Sequence, residues 1–237
     1  RRIKHAAMHD LLTPRRRLPG FTGKWEPITL GTLGRTFGGL TGKSARHFGH
    51  GSGKYIPFMN VITNVMIDPK QLDAVEITDG ETQNEVQQGD LIFNGTSETP
   101  EEVGLCAVVA HSPKRTFLNS FCFGFRLLPD AEIYGCFLAY YFRAPTGRKL
   151  VRSLAQGATR YNMSKRSLMN VEPQLPPLAE QRAIAGVLSD MDAEIEALEA
   201  KLDKAQRIKR GMMQQLLTGR VRLPVEDESH IQEETPA

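Results

Sequence analysis

Four consecutive residues, Thr159-Arg160-Tyr161-Asn162, have side chains suited to hydrogen bonding with the edges of nucleic-acid bases. An arginine guanidinium can donate two parallel hydrogen bonds to guanine, and an asparagine amide can pair in the same way with adenine. Lys165 and Arg166 follow closely, and lysine in particular suits phosphate oxygens. We predict that these six residues contact DNA.

A second group of cations lies in a glycine-rich stretch, where eight glycines fall between Gly31 and Gly53. Such a composition predicts loops, whose backbone can approach a ligand closely. The cations of this stretch and its edge are Lys43, Arg46 and Lys54. We predict that these three residues also contact DNA.

The distribution of charge supports both groups, although the net charge of the chain is only +3. Seven Lys or Arg and no acid lie between Arg143 and Arg166, and four with no acid lie between Pro27 and Ile67. The last twelve residues carry five acids and no Lys or Arg. Long basic runs without acids are typical of surfaces that bind polyanions.

Motifs for catalysis and cofactor binding do not emerge from the sequence. Gly42-Lys43-Ser44 resembles the end of a phosphate-binding loop, but Phe37 stands where that motif needs glycine. His47 and His50 have no second His or Cys pair at metal-ligand spacing. The Pro-Pro pair precedes Leu178, whereas an amino-methyltransferase motif needs an aromatic residue there. We predict a protein that binds and does not catalyse.

Composition places the chain among globular proteins of the cytoplasm. Apolar residues make up 40% of the 237 residues, and no stretch reaches the length of a membrane span. The three cysteines have no metal-ligand spacing, and an odd number indicates reduced thiols.

The elements that must position the basic residues are short strands, turns and short helices. We predict that a first helix ends before Pro14, and that helices cover residues 133–154 with a break near Pro145. Between them we predict a short helical turn capped by Thr99 and Glu102. Ser164 is predicted to cap a further short helix. The predicted strands are 55–58, 61–62, 75–77, 91–93, 107–109 and 120–128.

From Pro176 onward the pattern changes to a long helix. Apolar residues alternate four and three apart from Ile184 to Leu216, which is a heptad pattern, and Lys209 interrupts it. About 40 residues at 1.5 Å each give a rod of roughly 60 Å, longer than a domain of this size is wide. We therefore predict that part of the helix pairs with another helix.

The two ends of the chain carry the same motif. Residues 2–19 recur as residues 207–224, with identity at 11 of 18 positions and a constant offset of 205. Since a repeat at this spacing spans a whole domain, we predict a repeat unit flanked by two copies of its junction.

Several motifs together resemble the specificity subunits of Type I restriction–modification systems. They are Gly89-Asp90-Leu91-Ile92-Phe93, the segments 97–104 and 157–164, the helix start Leu175-Pro176-Pro177-Leu178-Ala179-Glu180-Gln181, and the helix end Gln214-Gln215-Leu216-Leu217-Thr218-Gly219. The resemblance implies one half of such a subunit, either as a fragment or as a natural half-subunit that dimerises.

The implied fold is α+β, with an irregular mixed sheet and short helices, followed by a heptad-patterned helix that pairs antiparallel with a partner helix. Residues 1–20 would end a preceding spacer helix, 21–175 would form the target recognition domain, and 176–218 the coiled-coil spacer helix. Residues 219–237 would form a tail whose acidic end is disordered.

The resemblance also implies the partners of this domain. It would recognise one half of a split target in double-stranded DNA, and the helix would act as spacer and docking element for methyltransferase subunits that modify adenine. A motor-nuclease (restriction) subunit would join for cleavage. S-adenosylmethionine and ATP are expected only on these partner subunits, and no metal or cofactor is expected on this chain.

Two alternatives remain open from the residues alone. The first is a non-catalytic coiled-coil scaffold with nonspecific DNA affinity, which predicts little sequence preference and no methyltransferase partner. The second is a stand-alone nuclease or methyltransferase, against which the missing motifs argue.

Overall fold

The computed structural model describes residues 1–222, which form seven α-helices, a short 3₁₀ helix at Ala45–His47 and eleven short strands. The helices are α1 Arg2–Leu11, α2 Leu30–Leu33, α3 Phe58–Thr63, α4 Gly135–Arg143, α5 Pro145–Arg152, α6 Lys165–Met169 and α7 Leu178–Leu217. The strands are β1 Glu26–Pro27, β2 Gly34–Gly38, β3 Phe48–Ile56, β4 Asp73–Val75, β5 Leu91–Asn94, β6 Thr96–Ser97, β7 Cys106–Val108, β8 Thr116–Leu118, β9 Cys122–Leu127, β10 Tyr161–Asn162 and β11 Gln174–Leu175. The α+β fold class is therefore confirmed.

The strands form four small sheets. The largest is antiparallel with the order β2-β9-β5-β7, and the second has the order β4-β3-β8. Two-stranded ribbons join β1 to β11 and β10 to β6. The ribbon of β1 and β11 brings the two ends of the predicted recognition domain together, since Glu26 pairs with Leu175.

The strands β3 and β8 run parallel, with Lys54 opposite Thr116 and Ile56 opposite Leu118. An aromatic residue follows each strand within three residues, Phe58 after β3 and Phe121 after β8. The two rings therefore lie at the carboxyl end of this pair, and Lys54 lies toward its amino end.

Helices α4 and α5 confirm the predicted break near Pro145. Pro145 occupies the first turn of α5, where its missing N–H costs nothing. The aromatic residues of α4 supply much of the core, and four of them are buried: Phe137, Tyr140, Tyr141 and Phe142. This explains why α4 is apolar nearly all round.

The predicted strand at Val61 and Ile62 is wrong, because both residues lie in α3. Pro57 stands just before this helix, and the guanidinium of Arg143 donates hydrogen bonds to the carbonyls of Val61, Ile62 and Asn64 at its end. These distant contacts outweigh the preference of β-branched residues for strands.

The predicted capping box at Thr99 and Glu102 is also wrong. Residues 98–104 form turns without a helix. The Glu102 carboxylate accepts a hydrogen bond from the Ser97 hydroxyl at 2.5 Å, so it does not reach back to Thr99. The Ser164 cap, in contrast, is confirmed, since its hydroxyl accepts from the Ser167 amide at 3.0 Å.

The start of α7 is fixed by two buried polar side chains, Glu180 and Gln181. Glu180 is fully buried and accepts two hydrogen bonds of 2.5 Å from the Arg17 guanidinium. The Gln181 amide accepts from the Tyr134 amide at 2.9 Å and donates to the carbonyl of Pro176 at 2.8 Å. The helix-start motif therefore has a structural role.

The chain divides into two compact units, Arg1–Asp190 and the described residues from Met191 onward. In the first unit, Ile184 and Leu188 of α7 are buried. In the second unit, the heptad residues Leu198, Leu202 and Met212 are each more than half exposed. The acidic tail lies outside the described residues. Among the helices of the described chain, none is long and apolar enough to cross a membrane.

Both copies of the repeated motif end a helix in the same way. The Thr13 hydroxyl donates to the carbonyls of His9 and Asp10, and the Thr218 hydroxyl donates to Gln214 and Gln215, the residues 205 positions later. The repeat detected in the sequence is therefore also a repeat of local structure.

Candidate nucleic-acid interface

The predicted contact loop is a small hairpin closed by Gln156 and Asn162. Each of these residues donates its backbone N–H to the carbonyl of the other, at 2.9 and 2.8 Å. Gly157 adopts a φ of +126°, and a Cβ there would lie 2.1 Å from the carbonyl oxygen of Arg160. Glycine is therefore required at this position, and residues 158–160 are exposed at the tip.

Pairing of β10 with β6 attaches the hairpin to the domain. The Thr96 hydroxyl donates to the Asn162 side-chain oxygen at 2.7 Å. This bond engages one lone pair of the Asn162 amide oxygen and helps to hold the hairpin, while Asn162 itself stays exposed. Thr159 and Arg160 remain exposed, and Tyr161 is partly exposed.

Arg160 borders a cleft of about 330 Å³ at the carboxyl end of β3 and β8. Phe58 and Phe121 line the same cleft, together with Thr96, Ser97 and two acidic residues, Glu98 and Glu102. The Phe121 side chain is 50% exposed. A guanidinium and an exposed ring beside hydroxyl groups provide hydrogen-bond donors and an apolar contact, the groups that read bases in a groove.

Sequence reasoning missed Phe121, whose position is fixed by buried Asn119. The Asn119 side chain accepts a hydrogen bond from the Phe121 amide and donates another to the Ile56 carbonyl, both at 2.9 Å. A phenylalanine flanked by Asn119-Ser120 in a turn is a weak signal, because nothing local shows that its ring is exposed.

Lys165 and Arg166 lie in the first turn of α6, and both are exposed. A Cβ built on Gly38 would lie 3.1 Å from Lys165 Nζ, so the ammonium group sits at the end of β2. The structure thus brings residues of the glycine-rich stretch next to the basic run, as a shared surface requires.

The basic run of residues 143–166 separates into internal and exposed cations. Arg148 donates to the carbonyls of Glu101 and Val103, and burial, followed by repulsion from Arg143 and Arg152, lowers its pKa to about 10. Arg152 pairs with the Glu101 carboxylate at 2.5 Å. Arg143 and Arg148 are partly buried and stabilise the fold, whereas Arg152 is exposed in its ion pair, as are Lys149, Arg160, Lys165 and Arg166 elsewhere in the run.

Lys43 forms an ion pair with Glu81, with 2.6 Å between Nζ and Oε2, and its side chain is only 7% exposed. The Lys43 ammonium and the Gln83 amide together lower the pKa of Glu81 to about 2. This contact gives Lys43 a structural role between two loops. Arg46, in a short 3₁₀ helix, and Lys54 are exposed.

The cysteines have no reactive environment. Cys106 and Cys122 are buried, and burial raises the pKa of both thiols, that of Cys122 to about 12. Thiolate is the reactive form, so both side chains act as small apolar groups.

Two solved structures share this fold. They are the S subunit of a Type I restriction–modification system from M. genitalium, with a TM-score of 0.55 and 18% identity, and the HsdS subunit from Thermoanaerobacter tengcongensis, with a TM-score of 0.55 and 19% identity. The matches cover 86% and 90% of this chain, and 48% and 49% of the two solved chains.

Similar sequences include the specificity subunit of the Type I restriction enzyme EcoKI from Escherichia coli strain K12, which is 25% identical over 199 residues. The specificity subunit of StySPI from Salmonella potsdam is 24% identical over the same length. Each match covers 83% of this chain and 42% of the relative, so the chain spans less than half the length of these relatives.

The family model for the Type I restriction modification DNA specificity domain matches residues 23–207, which include the hairpin, the cleft and most of α7. This match covers well over half of the chain. The protein therefore belongs to the family of Type I restriction–modification DNA specificity domains.

Proposed function

We propose that this chain recognises one half of a split DNA target and does not itself catalyse a reaction. The observation that carries the proposal is the position of Arg160, exposed on a closed hairpin beside the cleft of Phe58 and Phe121. A hairpin closed by backbone hydrogen bonds holds its tip in a defined conformation, so less entropy is lost on binding.

In this proposal, Arg160 and Phe121 contact base edges, while Lys165, Arg166, Arg46 and Lys54 contact phosphates. Thr159 and Tyr161 flank Arg160 and contact the sugar–phosphate backbone. Lys43 and Asn162 hold the loops that carry these residues, Lys43 by its ion pair with Glu81 and Asn162 by its hydrogen bond with Thr96.

The long helix α7 acts as spacer and as a docking element for methyltransferase subunits, which carry S-adenosylmethionine and modify adenine. A restriction subunit that uses ATP completes the complex. The second half of the target is read by another recognition domain, either in a second copy of this chain or in a longer subunit. The exposed heptad residues of α7 support pairing with another helix, because they offer an apolar seam.

Coexpression with a methyltransferase subunit of the same system tests the proposal, with N6-methyladenine mapped across the host genome. A split motif with two defined half-sites is the expected result, and a palindromic motif would identify a dimer of this chain. Absence of methylation from an intact complex, even after a second recognition domain is supplied, would contradict the proposed function.

Replacement of Arg160 tests the assignment of the site. Arg160→Ala is expected to weaken binding to the target duplex by about 1–3 kcal/mol and to relax the methylated motif at one position. Arg160→Lys is the matched variant, since it keeps the positive charge but loses the guanidinium, which can donate two parallel hydrogen bonds. Equal affinity and an unchanged motif in both variants would exclude Arg160 as a base contact.

A coiled-coil scaffold is the second candidate function, and the exposed apolar residues of α7 favour it. It predicts that the chain forms stable oligomers and binds all duplexes alike. A competition titration between the methylated motif and a scrambled duplex separates the two candidates, because only a specificity domain prefers its motif.

A further inference from the structure

A second cavity, of about 390 Å³, lies toward the amino end of the parallel pair of β3 and β8. Its polar lining is rich in cations and hydroxyl groups. The polar residues that matter here are Ser52, Lys54, His111, Ser112, Lys114 and Arg115. Only Lys54 among them was expected to bind DNA, and the others have no role in the interface around Arg160.

The three cations of this cavity are exposed and unpaired. Lys54, Lys114 and Arg115 have no ion-pair partner among residues 1–222, whereas Lys43, Arg126 and Arg152 each pair with a carboxylate. Other exposed cations, such as Lys149 and Arg160, also lack a carboxylate partner among the described residues. What sets Lys54, Lys114 and Arg115 apart is that all three line one cavity.

The backbone of this cluster is held in an unfavourable conformation. Arg115 has a φ of +44°, and no other non-glycine residue among those described has a positive φ. Its carbonyl accepts the Lys54 amide at 2.9 Å, and the Thr116 hydroxyl donates to the Lys114 carbonyl at 3.0 Å. Strain of this kind persists where surrounding contacts impose it, often at binding sites.

We propose that this cavity binds the backbone phosphates of a DNA duplex, as a phosphate site separate from the Arg160 cleft. The inference rests on the proposed function in one respect, namely that the chain binds a DNA duplex. Lysine, arginine and hydroxyl donors are the groups that hold phosphate oxygens and set the register of a duplex without reading its sequence.

A phosphate on a polymer fits this cavity better than a free nucleotide. His111 carries the one aromatic ring among the described residues that line it, and that residue is exposed, so the cavity offers no Phe, Tyr or Trp against which a base could be enclosed. Small-ligand sites usually enclose most of the ligand. Here the three cations are exposed to solvent, where an extended anion can pass over them.

The position of the cavity suits contact with the same duplex. Lys54 and Phe58 are four residues apart, so their Cα atoms are separated by at most about 14 Å. With a rise of about 3.4 Å per base pair, this span corresponds to roughly four base pairs. A duplex lying on the Arg160 cleft can therefore place a phosphate near Lys54.

Arg115→Gly removes one cation of the cavity and is expected to fold normally. Glycine adopts a positive φ without strain, so this change removes a cation and relieves the backbone together. We expect its Tm to rise while its affinity for DNA falls. A merely structural role for Arg115 predicts that DNA affinity stays unchanged.

The closing experiment measures DNA affinity against salt for the full chain bound to its methyltransferase subunit. The variant Lys54→Gln/Lys114→Gln/Arg115→Gly is compared with Arg2→Gln/Arg15→Gln/Lys24→Gln, which loses the same charge at exposed residues outside both cavities and outside α7. Each phosphate contact contributes about 0.9 to the slope of log K against log salt. We expect the slope to fall by about 2–3 in the first variant, with the methylated motif retained.

A slope that falls no more than in the charge-matched control would overturn the inference. Inorganic tripolyphosphate is the second probe, and its binding is measured as the rise in Tm that it causes. If the first variant loses stabilisation by tripolyphosphate but keeps the DNA slope, a free phosphate ligand replaces DNA and the inference is wrong. If the wild-type complex binds all duplexes equally and the slope still falls, the inference stands and the proposed function fails.

Discussion

Residues 2–17 and 207–222 share most of their side chains, yet equivalent residues differ sharply in exposure. Leu12 is fully buried, whereas Leu217, its equivalent, is 81% exposed. Met8 is buried and Met213 is 47% exposed. Similar sequence and the same cap hydrogen bonds thus coexist with opposite environments, because burial depends on what lies beside a helix end.

The two copies also differ in how they leave the helix. Pro14 comes directly after Thr13 in the first copy, while its equivalent Gly219 comes directly after Thr218 in the second and has a φ of +70°. Glycine in this conformation is a common helix C-terminus. Three residues after Pro14, the guanidinium of Arg17 donates a hydrogen bond to the buried carboxylate of Glu180.

The largest expected difference between the copies concerns the leucines. Leu12→Ala should destabilise the first unit by about 3–4 kcal/mol, since it leaves a cavity in a packed site. Leu217→Ala should change stability by less than about 0.5 kcal/mol, because its side chain is already in solvent. Denaturation followed by fluorescence of Trp25, the single tryptophan and a buried one, measures the first variant, and far-ultraviolet circular dichroism, which reports helix in both units, measures the second.

Equal costs at Leu12 and Leu217 would show that the second copy is also packed, and the comparison would fail. Destabilisation by Leu217→Ala that depends on protein concentration would instead identify an intermolecular contact.

The arginines give a somewhat smaller contrast. Arg17→Ala should cost about 3 kcal/mol, near the low end for breaking a buried ion pair, because the Arg17 side chain retains 23% exposure while Glu180 has none. Arg222→Ala should have an effect below about 0.5 kcal/mol on the same measurement.

The double variant Arg17→Ala/Glu180→Gln serves as the control for the ion pair. It should recover part of the lost stability, because the carboxylate is then no longer buried without a partner. No recovery would mean that Arg17 acts through packing of its methylene groups.

The threonine caps should show the smallest effect and no contrast. Thr13→Ala and Thr218→Ala each remove hydrogen bonds to the preceding turn, and each should cost about 0.5–1 kcal/mol of local stability. Hydrogen exchange at the amides of Leu12 and Thr218, which bond to the carbonyls of Met8 and Gln214, reports on each helix end. Unequal protection changes would show that the cap is not independent of its surroundings.

Local patterns predicted much of the fold. The break at Pro145, the Ser164 cap and the extent of α7 depend on neighbours in sequence, and all three were predicted within a few residues. The helix at Val61 was not, because Arg143, about 80 residues away, completes its end. Distant contacts of this kind leave no periodicity to detect.

The candidate site shows the same limit. Exposed Arg160 and Lys165 could be selected from a basic run, but the sequence does not reveal that Lys43 faces Glu81 or that Arg148 is internal. Lys114 and Arg115 were passed over because the run that contains them is short. Which cation meets an acid is decided by tertiary structure.

The hairpin of Gln156 and Asn162 has a consequence for how specificity could change over time. Its two ends are joined by backbone hydrogen bonds, which do not depend on side-chain identity. Gly157 alone is demanded by the turn, so residues 158–160 can mutate without loss of the frame. In the proposed function Arg160 reads a base, so substitutions at the tip would change the target sequence while the rest of the domain stays the same.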